Sequence, residues 1–404
     1  MGLFLLFFLL PVYLIRFKFF SIPITLLEIM IFIITLIYLV NPKNNIPLKT
    51  KFLDLKSKIK QNPSLVIAIL AFLVAATISI FISIDTKSAL GEWKTFYIEP
   101  VLIFLILITS LKTPKQINNL IFALVLSGLI TSLFAIYQKF TGLYVPWEYW
   151  QNNNSYRVTG WYGFPNGVGL FLAPLIPLAF YLLKQKTNLW QYIISIISIP
   201  LGILAILFAK STGGLIGVAA GIGLLMIISK KFRRPTIIFG ALCLIGLFLM
   251  PNNPIKQELL LQDRSGQLRV AMWGETVEFL ANNPIFGAGL ASYKTLIYPY
   301  RIDKWIEVFH HPHNIFLTMW VNLGILGLAG FVWILVWFYR VGFSLIMRNS
   351  KFKIQNFNLG LFLLASMTTL ITTGLVDSPY IKNDLSLVFW LLPALLIVNM
   401  KLEA

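Results

Sequence analysis

His310-His311-Pro312-His313-Asn314 stands directly before IFLTMWVNLGILGLAGFVWILVWFYR, residues 315–340, so a polar segment runs into an apolar one. The apolar run carries no charge before Arg340, and its length of about 25 residues predicts a membrane-spanning helix. The five residues before it hold all 3 histidines of the 404-residue chain. His313 is therefore expected at the mouth of a membrane-spanning helix, between water and lipid.

Composition assigns the whole chain to the class of membrane proteins. Hydrophobic residues make up 58% of the sequence and charged residues only 12%, which excludes a soluble globular protein. The single cysteine, Cys243, excludes an internal disulfide framework and a metal site built from several thiolates. The expected fold class is all-α, a polytopic transmembrane helical bundle.

Apolar runs of membrane length recur along the chain, and we predict about twelve spans in one integral membrane domain, residues 1–404. The N-terminal run lacks the charged leader and the small-residue cleavage site of a signal peptide, so we interpret it as a retained span. Several of the runs are short. They cover residues 2–15, 22–40, 64–84, 95–111, 117–137, 167–183, 189–209, 214–229, 236–250, 314–339, 358–376 and 385–400.

The basic residues predict how these spans are oriented. With the N-terminus in the cytoplasm, the inner loops hold 19 of the 33 Lys and Arg residues but only two acidic residues, Asp54 and Glu403. This positive-inside bias predicts cytoplasmic N- and C-termini in the inner membrane and contact of the basic loops with the lipid bilayer. The net charge of +18 is thereby attributed to topology, and nucleic acid is not an expected partner.

The longest polar segment, residues 251–313, is predicted to be a large, partly helical extracytoplasmic loop inserted between spans 9 and 10. A helix is expected between Ser265 and the stop signal Asn282-Asn283-Pro284. Its predicted apolar face follows three- and four-residue spacing and consists of Val270, Trp273, Val277 and Leu280.

Aromatic and basic side chains near the end of this loop, Tyr300 and Arg301 among them, permit two interpretations. They suit an interfacial belt at the membrane boundary, and they also suit stacking on a sugar and binding of a phosphate. Arg157 is open in the same way, since it is either a boundary anchor or a substrate ligand. We take all three as candidate substrate-binding residues.

A set of motifs resembles one known family. His313-Asn314 is followed, after nine residues, by Gly324-x-x-Gly327, and residues 269–293 read RVAMWGETVEFLANNPIFGAGLASY. These features resemble the O-antigen ligase and O-antigen polymerase family of bacterial membrane glycosyltransferases. Further similar motifs are RVTGWYGFPN at 157–166, KSTGG at 210–214 and VDSP at 376–379.

The resemblance implies a many-helix membrane fold with a large periplasmic loop. It also implies transfer of a glycan from an undecaprenyl diphosphate carrier to an acceptor hydroxyl, with no metal, cofactor or nucleotide sugar. The acceptor would be a saccharide, a lipid or a protein hydroxyl, and the sequence does not choose among them. By this similarity His313 corresponds to an essential histidine, and Arg269 to an arginine that binds the carrier diphosphate.

One motif departs from the family pattern. The family often has Ser-Arg-Gly where this chain has Ser211-Thr212-Gly213, so a second phosphate-binding arginine is absent from its expected place. Lys210 is the candidate replacement, although an ammonium group cannot make the bidentate contact of a guanidinium.

The residue types fit glycosyl transfer with inversion of the anomeric configuration. A neutral His313 imidazole can take the proton of an acceptor hydroxyl as its oxygen attacks the anomeric carbon. The start of the same helix offers backbone amides, so Asn314 is expected to help hold a diphosphate. Gly324 and Gly327 are predicted to let another helix pack closely beneath the site.

Other interpretations stay open at this point. Three histidines within four residues can suggest a metal, but Pro312 stiffens the run and the loop carboxylates show no ligand spacing, so we predict no metal site. Asp377 either orients a histidine or arginine or caps the next helix. The alternative function is a transporter or flippase of lipid-linked saccharides, in which the histidines and arginines line a translocation path. A membrane scaffold without catalysis is a third.

Overall fold

The computed structural model describes residues 1–19, 22–40, 60–151, 156–185, 188–302, 309–349 and 359–403, and residues 50, 53, 55 and 56. Within these ranges the protein is helical, apart from turns and one two-stranded sheet. The helices are α1 (Gly2–Phe8), α2 (Leu26–Val40), α3 (Pro63–Ile82), α4 (Thr86–Glu92), α5 (Glu99–Ser110), α6 (Pro114–Thr141), α7 (Glu148–Gln151), α8 (Pro165–Leu172), α9 (Leu175–Lys184), α10 (Leu189–Phe208), α11 (Thr212–Ile228), α12 (Arg233–Leu249), α13 (Pro254–Leu259), α14 (Arg264–Asn282), α15 (Tyr293–Leu296), α16 (Ile315–Asn349), α17 (Leu359–Thr373) and α18 (Asn383–Glu403).

The N-terminal segment differs from the predicted continuous span over residues 2–15. Helix α1 has only 7 residues, and a 3₁₀ helix, Leu10–Leu14, follows it. Pro11 lies in the first turn of the 3₁₀ helix and has no N–H group, so it cannot continue the hydrogen-bond ladder of α1. A hairpin of β1 (Arg16–Phe19) and β2 (Ile22–Thr25) then leads into α2.

The prediction of a polytopic all-helical membrane protein is confirmed, but the count of about twelve spans is not. Seven helices, counting α4 with α5 and α8 with α9 as one each, are long and apolar enough to cross a membrane within the described ranges. An eighth is obtained if α12 and the bent segment Pro254–Asn282 form one span. Three apolar helices, α2, α11 and α17, are shorter than a full span.

Several helix ends meet at one end of the bundle. Within the bundle α16 packs along α3, and α11 packs along α17. The first amide of α16, at Ile315, donates to the carbonyl of Gly374 just beyond α17, at 2.7 Å. Thr373, the last residue of α17, donates its hydroxyl to the carbonyl of Gly213 in the first turn of α11, at 3.3 Å. The polar motifs of the sequence lie at these junctions.

Helix α14 occurs where the sequence predicts a helix, and the side chain of Asp263 caps its N-terminus. Its predicted apolar face is confirmed at Leu280, which is buried, but not at Val270 and Val277, which are 51% and 53% exposed. Leu280 packs in a small apolar core together with Phe279, which the spacing did not predict. The other buried members of that core are Ala288, Tyr293, Ile297 and Val321. Spacing along α14 therefore did not identify its neighbours, which follow it in the chain and fold back on it.

Gly324 interrupts α16 in a way the sequence does not reveal. Its backbone, at φ 70° and ψ −175°, is non-helical and lies in a region open to glycine almost alone. The next amide, of Ile325, donates to the carbonyl of Ile285 at 3.0 Å, so the turn before α15 docks onto this break. The nearest neighbours of Gly327 belong to Leu323 in the same helix. Both glycines thus serve the kink of α16, in contrast to the predicted close packing of a second helix.

Replacing Gly324 with alanine is expected to destabilise the protein. A Cβ atom at this position would lie 2.0 Å from the carbonyl oxygen of Ile285, and the positive φ adds backbone strain. We expect a cost of about 1–3 kcal/mol, seen as a lower apparent Tm of the detergent-purified protein. Gly223→Ala in α11 is the matched control, because no atom lies within 4 Å of its Cβ position and its backbone is helical. Equal Tm values for the two variants would contradict the role of the kink.

Candidate functional site

His313 and Asp377 form a buried pair at the junction of α16 and α17. Nδ1 of His313 lies 3.0 Å from Oδ1 of Asp377, and the two side chains are 16% and 5% exposed. His313 has a left-handed backbone, φ 50°, which is uncommon for a residue other than glycine and marks a constrained position. Asp377 also accepts hydrogen bonds from the amide of Ser378, at 2.8 Å, and from Nδ2 of Asn166, at 3.0 Å.

This geometry assigns the tautomer of His313. An ionised carboxylate only accepts hydrogen bonds, so the proton of a neutral imidazole is on Nδ1 and the lone pair on Nε2. Burial raises the pKa of Asp377, but the charge and hydrogen bond of His313, together with smaller effects from His311 and Arg269, more than offset it. These neighbours hold the pKa of Asp377 well below its usual range. The carboxylate is therefore ionised and fixes the imidazole ring.

The other histidines differ sharply in environment. His310 is exposed. His311 has its Nδ1 atom buried without a hydrogen-bond partner among the described residues, and its ring lies 4.9 Å from the ring of His313. Burial, with the charge of His313 next, lowers the pKa of His311 to about 3. The loop that carries them is tied to α14, because Nε1 of Trp273 donates to the carbonyl of Pro312 at 3.0 Å.

A cavity of about 280 Å³ lies beside this pair, and Asp377 is part of its wall. Three basic residues that are far apart in the sequence line it, namely Arg157, Lys210 and Arg269. The first turn of α11 lines it as well, from Ser211 to Gly214, and acidic residues lie on the α13 side. A concave site with several positive groups and a helix start suits an anionic ligand such as a diphosphate.

Arg269 is held at the wall by three acceptors. Its Nε donates to the carbonyl of Val376 at 2.8 Å, and its Nη1 donates to the hydroxyl of Ser265 at 2.7 Å and to the carbonyl of that residue at 3.4 Å. The bond to Val376 places the guanidinium beside the residue that precedes Asp377 in the chain. Helix α14 thereby supplies a cation to the cavity whose wall includes Asp377, the partner of His313.

Arg157 connects the cavity wall to the same pair. Its Nη2 donates to Oδ1 of Asn166 at 2.8 Å and to the carbonyl of Lys210 at 2.9 Å. Since Nδ2 of Asn166 donates to Asp377, an unbroken chain of hydrogen bonds runs from Arg157 to His313. Lys210 itself has an exposed side chain and a positive φ of 47°, in the turn between α10 and α11. The predicted residues Arg157, Lys210 and Arg269 therefore line one cavity, and hydrogen bonds link Arg157 to His313.

Asn314 lies beside the site but is engaged elsewhere. Its Oδ1 accepts from the amides of Phe316 and Leu317, at 3.0 and 3.1 Å, and its Nδ2 donates to the carbonyl of Leu375. The side chain therefore caps α16 and satisfies the amides that the sequence suggested for a diphosphate. Helix α11 offers its first turn to the cavity instead.

Tyr300 and Arg301 do not line the cavity. The ring of Tyr300 packs edge-on against Phe279 at 5.5 Å, and Arg301 is buried. Sequence reasoning missed Asn166, although it is the last residue of the RVTGWYGFPN motif. It also missed Ser265 as a partner of Arg269, and it left the role of Asp377 open. Each is identified only by its contacts.

Known proteins resemble this chain in the region of the site. Residues 197–332 match the family described as O-antigen ligase. A Rickettsia conorii protein, provisionally named a polysaccharide ligase, is 30% identical over 149 residues, which cover 33% of this chain and 36% of that protein. An uncharacterized protein of Haemophilus influenzae is 23% identical over 316 residues, 70% of this chain and 74% of its own length. The matched segment includes Lys210, Arg269, His313 and Gly324, so over residues 197–332 the chain is similar to the O-antigen ligase family.

Proposed function

We propose that this protein transfers a glycan from an undecaprenyl diphosphate carrier to an acceptor hydroxyl, with inversion and without a metal. The family match supports glycan transfer in general, and the geometry supports the finer assignment. The observation that carries it is the hydrogen bond of His313 to Asp377, a residue in the wall of a cavity that three basic side chains line. A base and an anion site next to each other are what transfer from a lipid diphosphate requires.

In the proposed step, the acceptor oxygen attacks the anomeric carbon while Nε2 of His313 takes the hydroxyl proton. The bond between that carbon and the diphosphate oxygen breaks, and the diphosphate leaves as an anion. Arg269, Arg157 and Lys210 stabilise the negative charge on the departing group, together with the amides that begin α11. Asp377 stabilises the imidazolium that forms. A single displacement from the opposite face inverts the anomeric configuration.

The direct test is transfer by the purified protein in nanodiscs, from an undecaprenyl diphosphate-linked saccharide to candidate acceptors, with a chelator present. We expect a glycosylated acceptor whose new bond has the opposite anomeric configuration to the donor, as read by NMR. The acceptor that reacts would show whether the natural acceptor is a saccharide, a lipid or a protein hydroxyl. If the donor instead crossed the bilayer with no bond formed, the protein would be a transporter of lipid-linked saccharides.

Arg269→Ala is expected to lower transfer and weaken donor binding, because a charge-assisted contact to the diphosphate is lost. A contact of this kind contributes about 1.5–3 kcal/mol, so we expect about a 10–100-fold lower kcat/KM. The matched control is Arg264→Ala, at an exposed position in the first turn of the same helix. Donor affinity is measured separately with a non-reacting carrier diphosphate. Unchanged affinity in Arg269→Ala would count against a phosphate role for this residue.

We further propose that the site faces away from the cytoplasm and that the N- and C-termini lie in the cytoplasm. The wall residues Asp263 and Arg269 and the exposed Lys294 belong to the segment predicted to be extracytoplasmic, residues 251–313, and the exposed Lys115 belongs to a short basic loop. In a Cys243→Ser background, Lys294→Cys should react with an impermeant maleimide in intact cells, and Lys115→Cys only after lysis. The reverse pattern would overturn the proposed orientation.

A further inference from the structure

We propose that His311, His313 and Asp377 form a binding site for a transition-metal ion such as Zn²⁺, and that occupancy of this site inhibits the protein. One ligand atom from each of the three residues lies within 4.8 Å of the other two. Among the described residues this is the group of histidine, cysteine and acidic side chains that meets such a criterion. The inhibition rests on the proposed function, whereas the binding does not.

The buried nitrogen of His311 is the observation that points to a ligand. Its Nδ1 atom is shielded from solvent and has no hydrogen-bond partner among the described residues. A buried polar atom without a partner is costly, and a metal ion would satisfy it.

The distances are close to those of a tetrahedral site. Two ligands at the usual bond length from Zn²⁺ lie about 3.4 Å apart, and Nδ1 of His313 and Oδ1 of Asp377 are 3.0 Å apart. The ligand atoms of the three residues lie within 4.8 Å of one another, so the nitrogen of His311 would have to move closer to complete three ligands. Water would take the fourth position, as in sites with three protein ligands.

The surrounding charges select the kind of ion. The positive charge of Arg269 interacts with Asp377, and that of Lys382 interacts with His311. Both charges repel a cation that is held only by electrostatic attraction. Mg²⁺ and Ca²⁺ prefer several oxygen ligands and would find only one carboxylate here. Two imidazole nitrogens and one carboxylate oxygen favour Zn²⁺, Cu²⁺ or Ni²⁺. The site is therefore expected to discriminate strongly against Mg²⁺.

Metal binding would remove the base whichever nitrogen of His313 takes part. A metal at Nε2 occupies the lone pair that accepts the proton. A metal at Nδ1 displaces the proton shared with Asp377, and the neutral ring then carries its proton on Nε2. Either arrangement leaves no acceptor for the hydroxyl proton, so transfer should stop.

The test begins with binding, which needs no activity. Protein with a histidine-free affinity tag and Cys243→Ser is stripped with chelator, returned to chelator-free buffer and dialysed against Zn²⁺ or Mg²⁺. We expect one retained equivalent of Zn²⁺ and no retained Mg²⁺. His311→Gln should lose this equivalent, and His310→Gln, the same change at the exposed neighbour, should keep it. Equal Zn²⁺ binding by His311→Gln and His310→Gln would overturn the site.

A second measurement uses the wild-type sequence, in case His311→Gln does not fold. Co²⁺ in place of Zn²⁺ should give the visible absorption of a four-coordinate ion with nitrogen and oxygen ligands, and Zn²⁺ should remove it. Absorption of octahedral, water-ligated Co²⁺ alone would refute the proposal.

Activity then separates the two proposals. Zn²⁺ should inhibit glycan transfer, and chelator should restore it. Binding of Zn²⁺ by a protein that transfers no glycan would leave the metal site standing and overturn the proposed function. Transfer that Zn²⁺ does not affect would leave the proposed function standing and overturn the inhibitory site.

Discussion

His313→Ala is expected to lower the rate of glycan transfer by about 10²–10⁴-fold, the usual contribution of a positioned general base. The imidazole is the group whose lone pair is left available by its hydrogen bond to Asp377. The loss should appear in kcat, while donor binding changes little, because the basic side chains of the cavity are untouched. The measurement is the initial rate of acceptor glycosylation in nanodiscs, with donor affinity determined separately.

The matched control for this variant is His310→Ala, three residues earlier in the chain. His310 is exposed and outside the hydrogen-bond chain of the site, so its replacement should leave transfer near the wild-type rate. Both variants should elute from gel filtration as the wild type does. Full transfer activity of a folded His313→Ala variant would rule out His313 as the base, and the transferase would then need another proton acceptor.

Asp377→Asn is expected to have an effect of comparable size, about 10²–10⁴-fold on kcat. The asparagine amide can donate to Nδ1 of His313, which would move the ring proton to Nε2 and remove the base. Asparagine also loses one of the two acceptors that serve Ser378, Asn166 and His313 in the native site. Donor affinity should fall little, since the positive side chains remain.

A structural role for Asp377 would give a different result, namely equal losses in donor affinity, kcat and apparent Tm. The carboxyl-to-amide control is Glu278→Gln, at an exposed position of α14. A variant Asp377→Glu provides a second comparison, because it keeps the charge but displaces the carboxylate. Partial activity in Asp377→Glu above that of Asp377→Asn would support the positioning of His313 by charge. Retained kcat in Asp377→Asn would exclude it.

Local sequence determined that the protein belongs to the membrane class and where its main helices lie. It also indicated candidate residues for the chemistry. The run after Asn314 became α16, and the predicted loop helix became α14, because apolar length and capping residues act within a few turns of the same segment. The motifs also identified His313 and Arg269 as candidates. The resemblance of these motifs to those of the O-antigen ligase family suggested a base and a cation.

Tertiary structure alone decided how the site is assembled. The choice between orientation and capping for Asp377, left open by the sequence, depended on a contact across 64 positions of the chain. Asn166 links Arg157 to that carboxylate for the same reason, since α8 and the turn after α17 meet only when the bundle packs. Whether Tyr300 and Arg301 line the cavity likewise depended on which side of α14 is buried.

The break at Gly324 shows the same limit in the backbone. The sequence reads as one continuous apolar helix there, and only the carbonyl of Ile285, brought in by the preceding turn, accounts for the conformation. Burial of apolar surface and hydrogen bonding within a helix are local and can be read from periodicity. Contacts between distant segments depend on which faces pack together, and that is settled by the free energy of the whole fold.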